Sequence, residues 1–326
     1  MKQIACGPEG TIESMHLVDA ESPEPRAGEI LVEVACAGVN RPDLFQRSGR
    51  YPPPPGASPI LGLEVAGRVV ALGEGVTEWC VGDRIAALAP GGGYAEYCVI
   101  PAAHALAVRD AVRMADAAAL PEVWFTVWAN LIDIGHLEKG ERLLVHGGSS
   151  GIGLAAIQLA RHVGAEVIAT VGSAEKATFC RNFGATFAID YRQEDFLERI
   201  REITSGEGVD VVLDMVGGSY LQKNVSLLRR DGRLVLIAFL EGSRTEFDFL
   251  PLMMKRLTVS GSTMRSRTLA EKAAIRDALR ENVWPSLMDG RLKSHVCATF
   301  PLAQAGEAHR LMESSHHIGK IVLQVR

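Results

Sequence analysis

The apolar positions of this chain change spacing twice, and each change predicts a different kind of element. Over the first hundred residues the apolar runs are short. Residues 30–35, 67–72 and 83–88 read as strands, with turn residues at 25–28, 73–75 and 91–93 between them. Strands at that spacing predict a small barrel or sandwich. Tyr51 and the prolines Pro52, Pro53, Pro54 and Pro55 interrupt them. Proline fixes φ and removes a donor, so this segment is predicted to be a stiff extended loop. From Met114 the period becomes helical, with one helix over 115–120, ended or kinked by Pro121, and another over 124–132.

Residues 141–263 then alternate strand and helix. Strands are predicted at 143–145, 167–170, 188–190, 209–214, 233–238 and 257–260, with helices after Gly153 and at 194–204 and 219–228. Apolar strands alternating with helices imply a parallel sheet covered on both faces. The tail adds helices at 268–288 and 302–313 and a last strand at 320–325. Six strands already complete a dinucleotide fold, so that last strand is predicted to return to the first domain. The expected division is residues 1–120, completed by 265–326, and residues 121–264.

The first strand of the alternating region runs into Gly147, Gly148, Ser149, Ser150, Gly151, Ile152 and Gly153. In the G-x-G-x-x-G frame Gly148 and Gly153 fit, while Ser150 stands at the middle glycine. The context of strand, tight turn and helix gives the motif its meaning. Glycines let bare backbone amides approach a pyrophosphate, and the helix N-terminus adds donors and a favourable dipole.

Composition narrows the function classes. The chain has 326 residues, a net charge of -5 and no long basic run, so nucleic acid is not the expected partner. Its six cysteines form no C-x-x-C pair and read as reduced thiols of a cytoplasmic protein. The sequence contains no apolar run of membrane-spanning length and no secretory leader pattern. Ser149 and Ser150 lack the G-x-S-x-G elbow of a hydrolase. His104, His136 and His162 stand in unrelated contexts and read as structural.

Segments 37–43, 61–67, 145–153, 213–218, 264–267 and 319–322 together resemble the medium-chain dehydrogenase/reductase superfamily, along essentially the whole chain. Within it they are similar to the zinc-free quinone oxidoreductase branch, the relatives of zeta-crystallin. Residues 53–58 and the Arg265-Ser266-Arg267 segment look closest to the tumour-suppressor-inducible enzymes of that branch. The resemblance implies an α/β fold: a GroES-like β-rich catalytic domain plus a Rossmann domain with a doubly wound, parallel six-stranded sheet. It also implies NADPH as cofactor and a homodimer through the edge strand near 257–260.

The alcohol dehydrogenases of the superfamily carry Gly-His-Glu where this chain has Gly62-Leu63-Glu64, and a zinc-binding Cys at Asn40. Leucine cannot ligate zinc and an amide replaces thiolate poorly, so no metal is expected. Without a Lewis acid, acceptors that take hydride unaided, such as quinones and enones, are favoured. The second Rossmann strand ends at Gly172-Ser173 with no acid, which removes the repulsion of a 2′-phosphate. Ser173, Lys176 and Tyr191 match the positions that hold this phosphate in NADPH-using relatives, and Glu175 is expected to point away.

By resemblance, Asn40, Tyr51 and Thr126 line the acceptor cleft between the domains. Tyr51 either donates a proton or hydrogen bond to the acceptor or merely packs. Asn40 either contacts the acceptor or braces its loop, and Thr126 either lines the cleft or caps a helix. Ile237 and Phe239 are expected at a strand end beside the nicotinamide, unless Phe239 belongs to the core, and Arg265 near a cofactor phosphate, shaping the cleft or in a surface pair. The expected activity is NADPH-dependent quinone reduction. The alternatives are an enoyl reductase with Tyr51 as proton donor, and a non-catalytic NADPH-binding sensor or scaffold.

Overall fold

The computed structural model describes all 326 residues, Met1–Arg326. Its contacts divide the chain into Met1–Phe125 with Arg265–Arg326, and Thr126–Met264.

In the second unit β1 (Arg142–His146), β2 (Glu166–Val171), β3 (Phe187–Asp190), β4 (Val209–Asp214), β5 (Leu228–Leu236) and β6 (Thr258–Gly261) form one sheet. Its order is β3-β2-β1-β4-β5-β6, all parallel, as predicted. Leu143, Leu144, Val145, Val167, Ile168, Val211, Val212 and Leu213 are wholly buried, which is why these strands read as continuous apolar runs rather than alternating ones. The helix α1 (Gly151–Val163) buries Leu154, Ala155, Ala156, Leu159 and Ala160 and ends at Gly164, whose φ of 88° suits a left-handed cap.

The differences from expectation have local causes. Pro121 opens the helix Pro121–Val127 instead of ending one, since its missing N–H would have no partner in a first turn. That helix runs on into a wider π-helical stretch, Trp128–Ile134. The strand expected at 233–238 is β5, which starts five residues earlier and leaves the sheet after Leu236. Ile237 and Phe239 therefore lie beyond it, with Ile237 N–H donating to Asp214 O at 2.8 Å. Phe239 is half exposed rather than part of the core. The helix expected at 268–288 breaks at Val283, just ahead of Pro285.

The first unit is built on the long strand Glu29–Val39. One side pairs with Glu64–Leu72; the other pairs with Tyr97–Pro101 and then with the last strand, Lys320–Gln324. Register shifts at Leu31/Val32 and Val34/Cys36 let one strand serve both partners, because a bulge bends and twists it. The last strand does return to this unit: Ile321 faces Val39 and Gln324 faces Cys36, antiparallel. It also carries a parallel partner, Val296–Pro301, an alternation of half-buried and exposed positions that lies outside the predicted strands. Ile30, Val32, Val34, Val65, Ile85, Ile100 and Leu323 form the centre of the core.

Three histidines are enclosed. His104 contacts Leu269 O at 3.3 Å, His146 lies between Thr170 and Asn224, and His309 lies between Tyr94 and Arg47. Burial, aided by the Arg47 charge, pushes His309 down to about 3 from 6.5. In the unfolded chain this imidazole protonates below pH 6.5, while the folded chain keeps it neutral until about 3. Its contribution is thus present above pH 6.5 and is lost as pH falls. The stability advantage of wild type over a His309→Gln variant, measured by urea unfolding, should shrink by about 1.4 kcal/mol per pH unit below pH 6.5. A difference independent of pH would contradict this.

Candidate active site

The turn after β1 is shaped by what it leaves out. A Cβ on Gly148 would lie 2.6 Å from Ala169 Cβ, and one on Gly153 would lie 2.4 Å from Gly147 O. Gly147 itself has a φ of 68°. Ser150, the departure from the glycine frame, has a φ of -72° and caps α1 by accepting from Gly153 N–H at 3.0 Å. A glycine is not needed there, and a serine ties the turn to the helix. The amides of Gly151 and Ile152 open α1, where helix geometry supplies no carbonyl partner. Gly147 and the buried Ser149 lie in the same turn, while Gly148 N–H is given to Thr170 O at 2.9 Å; bare backbone at a helix start is the geometry that receives anions.

Beneath this turn lies a polar chain that the sequence did not reveal. His146 Nε2 is 2.7 Å from Asn224 Oδ1, Asn224 Nδ2 donates to Asp214 Oδ2 at 3.1 Å, and Asp214 Oδ1 accepts from Val216 N–H at 2.6 Å. Because the Asn224 amide nitrogen faces the carboxylate, its oxygen faces the imidazole, so Nε2 carries the hydrogen. His146 Nδ1 then accepts from Thr170 Oγ1 at 2.9 Å. The chain links β1, β2, β4 and the helix Tyr220–Leu227 at the sheet edge where α/β folds bind ligands.

At the tip of β2, a side chain on Gly172 would meet Tyr191 Oη at 2.9 Å and Arg192 Nε at 3.4 Å. Ser173 caps the next helix, accepting from Lys176 N–H at 3.2 Å. Lys176 is held below its ordinary range by burial and then by the Arg192 charge. Tyr191 and Arg192 thus converge on the space that Gly172 leaves open, beside the helix start that carries Ser173 and Lys176. Glu175 is exposed, and its charge acts on Lys176 in the opposite sense to Arg192. Arg192 was missed, and its position directly after Tyr191 was the one available cue.

In the first unit Asn40 and Glu64 sit in a buried ion cluster. Lys320 Nζ lies 2.6 Å from Glu64 Oε1, 2.5 Å from Asn40 Oδ1 and 3.2 Å from Val39 O. Asn40 Nδ2 donates to Glu64 Oε1 at 3.0 Å, and Glu122 N–H donates to Glu64 Oε2 at 2.9 Å. Asp43 accepts from Asn40 N–H at 2.8 Å, Gly62 N–H at 3.1 Å and Tyr94 Oη at 3.3 Å. Burial, outweighing those bonds, pushes Asp43 up to about 6. These donors do not fit zinc: Leu63 offers no ligand atom, and an ammonium already takes the Asn40 oxygen and the Glu64 charge.

Arg265 guanidinium lies 5.3 Å from the centre of the Tyr51 ring. It also reaches Tyr51 O and Pro90 O, each at 3.4 Å. The structure therefore places Arg265 on the proline loop, where it holds Tyr51. Thr126 is inside the helix Pro121–Val127, not at its start, so it is not a cap; its carbonyl accepts from Asn130 Nδ2 at 2.8 Å.

Comparison with known proteins agrees with this architecture. Residues 26–110 match the alcohol dehydrogenase GroES-like domain and residues 151–281 match the zinc-binding dehydrogenase family. The crystal structure of Escherichia coli quinone oxidoreductase complexed with NADPH is 32% identical, with a TM-score of 0.88 and 100% of both chains covered. CurK enoyl reductase is 27% identical with a TM-score of 0.88, over 100% of this chain and 99% of that one. A mycocerosic acid synthase-like polyketide synthase of Mycobacterium tuberculosis is 32% identical over 317 residues, 97% of this chain. The chain spans only 15% of the length of that polyketide synthase. A GroES-like unit and a nicotinamide-binding Rossmann unit in one chain define an NAD(P)-dependent oxidoreductase. The chain belongs to the medium-chain dehydrogenase/reductase superfamily.

Removing one partner of the buried pair isolates the other charge. Lys320→Met should cost about 3–5 kcal/mol, and adding Glu64→Gln should recover most of it. Chemical denaturation of the two variants checks this; equal losses in both would count against the pair.

Proposed function

We propose that the chain is an NADPH-dependent, zinc-independent quinone oxidoreductase, of the branch that includes the tumour-suppressor-inducible enzymes. The observation that carries this reading is the Lys320–Glu64–Asn40 cluster, which replaces a metal by an ammonium. An ammonium committed to two buried partners polarises no substrate carbonyl, so the acceptor must be electron-poor by itself, as a quinone is. Gly147 to Ile152 would hold the pyrophosphate. Ser173, Lys176 and Tyr191, joined by Arg192, would hold the 2′-phosphate. Ile237 and Phe239 would flank the nicotinamide, which when bound supplies hydride. Tyr51, fixed by its prolines and by Arg265, would offer its hydroxyl to the acceptor, Thr126 would line the site, and Asn40 would act as a brace.

An enoyl reductase is the second reading, favoured by the likeness to CurK enoyl reductase and by the firmly held Tyr51. The two differ in proton demand. A reduced quinone carries its proton on oxygen and can take it from water, whereas an enoyl product needs a placed acid at carbon. The exposed Leu250, Met253, Met254 and Val259 beside the edge strand β6 support a homodimer.

Stopped-flow oxidation of NADPH and NADH with 9,10-phenanthrenequinone and with a crotonyl thioester tests the choice. Quinone turnover that survives Tyr51→Phe is expected; thioester turnover that Tyr51→Phe abolishes would select the enoyl reading. Lys176→Ala and Arg192→Ala should each lower kcat/KM for NADPH about tenfold, or about 1.4 kcal/mol, and leave NADH unchanged. Equal losses with both cofactors would remove the 2′-phosphate assignment.

A further inference from the structure

Asp214 ends β4 wholly enclosed, and the groups that bond its carboxylate are uncharged N–H donors. Oδ1 accepts from Val216 N–H at 2.6 Å, and Gly217 N–H lies 3.3 Å from both oxygens. Oδ2 accepts from Asn224 Nδ2 at 3.1 Å. A carboxylate buried in this way is tolerated only while its donors stay in place, so it dictates the path of the chain after β4. That path is a frame for a second segment. Ile237 N–H donates to Asp214 O at 2.8 Å, Leu240 N–H to Met215 O at 3.1 Å and Glu241 N–H to Val216 O at 2.9 Å. Gly218 N–H donates back to Gly242 O at 2.9 Å. Residues 237–242 therefore hang on the loop that the carboxylate folds. Gly217, with a φ of 69°, comes so close that a Cβ there would lie 2.7 Å from Phe239 Cδ1. Phe239 is 50% exposed, although the backbone on either side of it is pinned. An apolar ring held outside the core on a pinned backbone is a contact surface of fixed position.

We propose that Asp214 is a positioning residue for hydride transfer, acting through Gly217 on Phe239. The proposal rests on the reading of the chain as a nicotinamide-dependent reductase with Phe239 beside the nicotinamide. The carboxylate is enclosed and touches no ligand itself. It fixes where the ring stands, and hydride passes only over a narrow range of distance and angle. The glycine turn depends on it less. Gly148 N–H bonds Thr170 O and Ser150 N–H bonds Gly147 O, each at 2.9 Å and neither through Asp214. Loss of the carboxylate is therefore a loss in kcat before it is a loss in NADPH binding. An amide at 214 offers the loop one acceptor oxygen, and its NH2 faces Asn224 Nδ2, donor against donor. A carboxylate at 224 removes that conflict, since it accepts from the new amide on one side and from His146 Nε2–H on the other.

The test uses the full chain with 9,10-phenanthrenequinone as acceptor or, where that is not reduced, a crotonyl thioester. Asp214→Asn should lower kcat about tenfold and raise the isotope effect seen with NADPH deuterated at the transferred position. Its NADPH affinity, read by nicotinamide fluorescence, should stay within about threefold of wild type. Adding Asn224→Asp should restore most of kcat. On a Phe239→Ala background, Asp214→Asn should change kcat by less than about twofold, because the contact it acts through is gone. Gly217→Ala leaves the carboxylate alone and should reproduce the kcat loss; it carries the test if Asp214→Asn does not fold. An unchanged kcat overturns the proposal, as does an affinity loss equal to the kcat loss or an undiminished effect on the Phe239→Ala background. Turnover of the thioester alone removes the quinone reading, and the same cycle then decides the role of Asp214 with that acceptor. Turnover of neither acceptor overturns both.

Discussion

A lysine and a glutamate that cannot be buried apart hold the first unit together. Lys320 is 4% exposed and Glu64 not at all, at a separation of 2.6 Å. Either charge alone in that interior would cost several kcal/mol, so each fixes the other. The pair joins the last strand to the strand Glu64–Leu72. Asn40 bonds both ions, and Glu122 N–H brings in the helix Pro121–Val127. Four segments far apart in the chain meet at one set of polar atoms, and the chemistry of the site follows from which charge sits in the middle.

The second unit solves a different problem. It must bring bare backbone to an anion, so it removes side chains where strand meets helix. Gly148 and Gly153 admit the close approach, and Gly172 clears the space where Tyr191 and Arg192 converge. Rigidity comes from below, through the His146–Asn224–Asp214 chain. The turn is thus open towards a ligand and fixed towards the sheet, which keeps donors in place without reorganisation.

Much of the Rossmann sheet was legible because its strands are buried on both faces and read as unbroken apolar runs. The strands at 97–101 and 296–301 were harder to see, since half-buried positions in a curved sheet leave only a weak alternation. The late start assigned to β5 reflects its charged opening residues, Arg229, Arg230 and Asp231, which are exposed although their backbone belongs to the strand. Lys176 and Tyr191 were selected by motif position. Arg192 was not, because an arginine after Tyr191 looks like an ordinary surface residue until Gly172 is seen to leave it room.

The sequence by itself determined the alternation of strand and helix, the glycine turn, the missing acid at the tip of β2 and the replacement of metal ligands by Asn40 and Leu63. Those are local properties, set by side-chain period, backbone freedom and donor type. Only the tertiary structure decided what surrounds each charge: that Lys320 neutralises Glu64, that Arg265 lies over Tyr51, and that burial beside Glu64 raises the Glu122 carboxyl. Electrostatic state depends on distance and desolvation, and the partners that fix both lie as many as 280 residues apart.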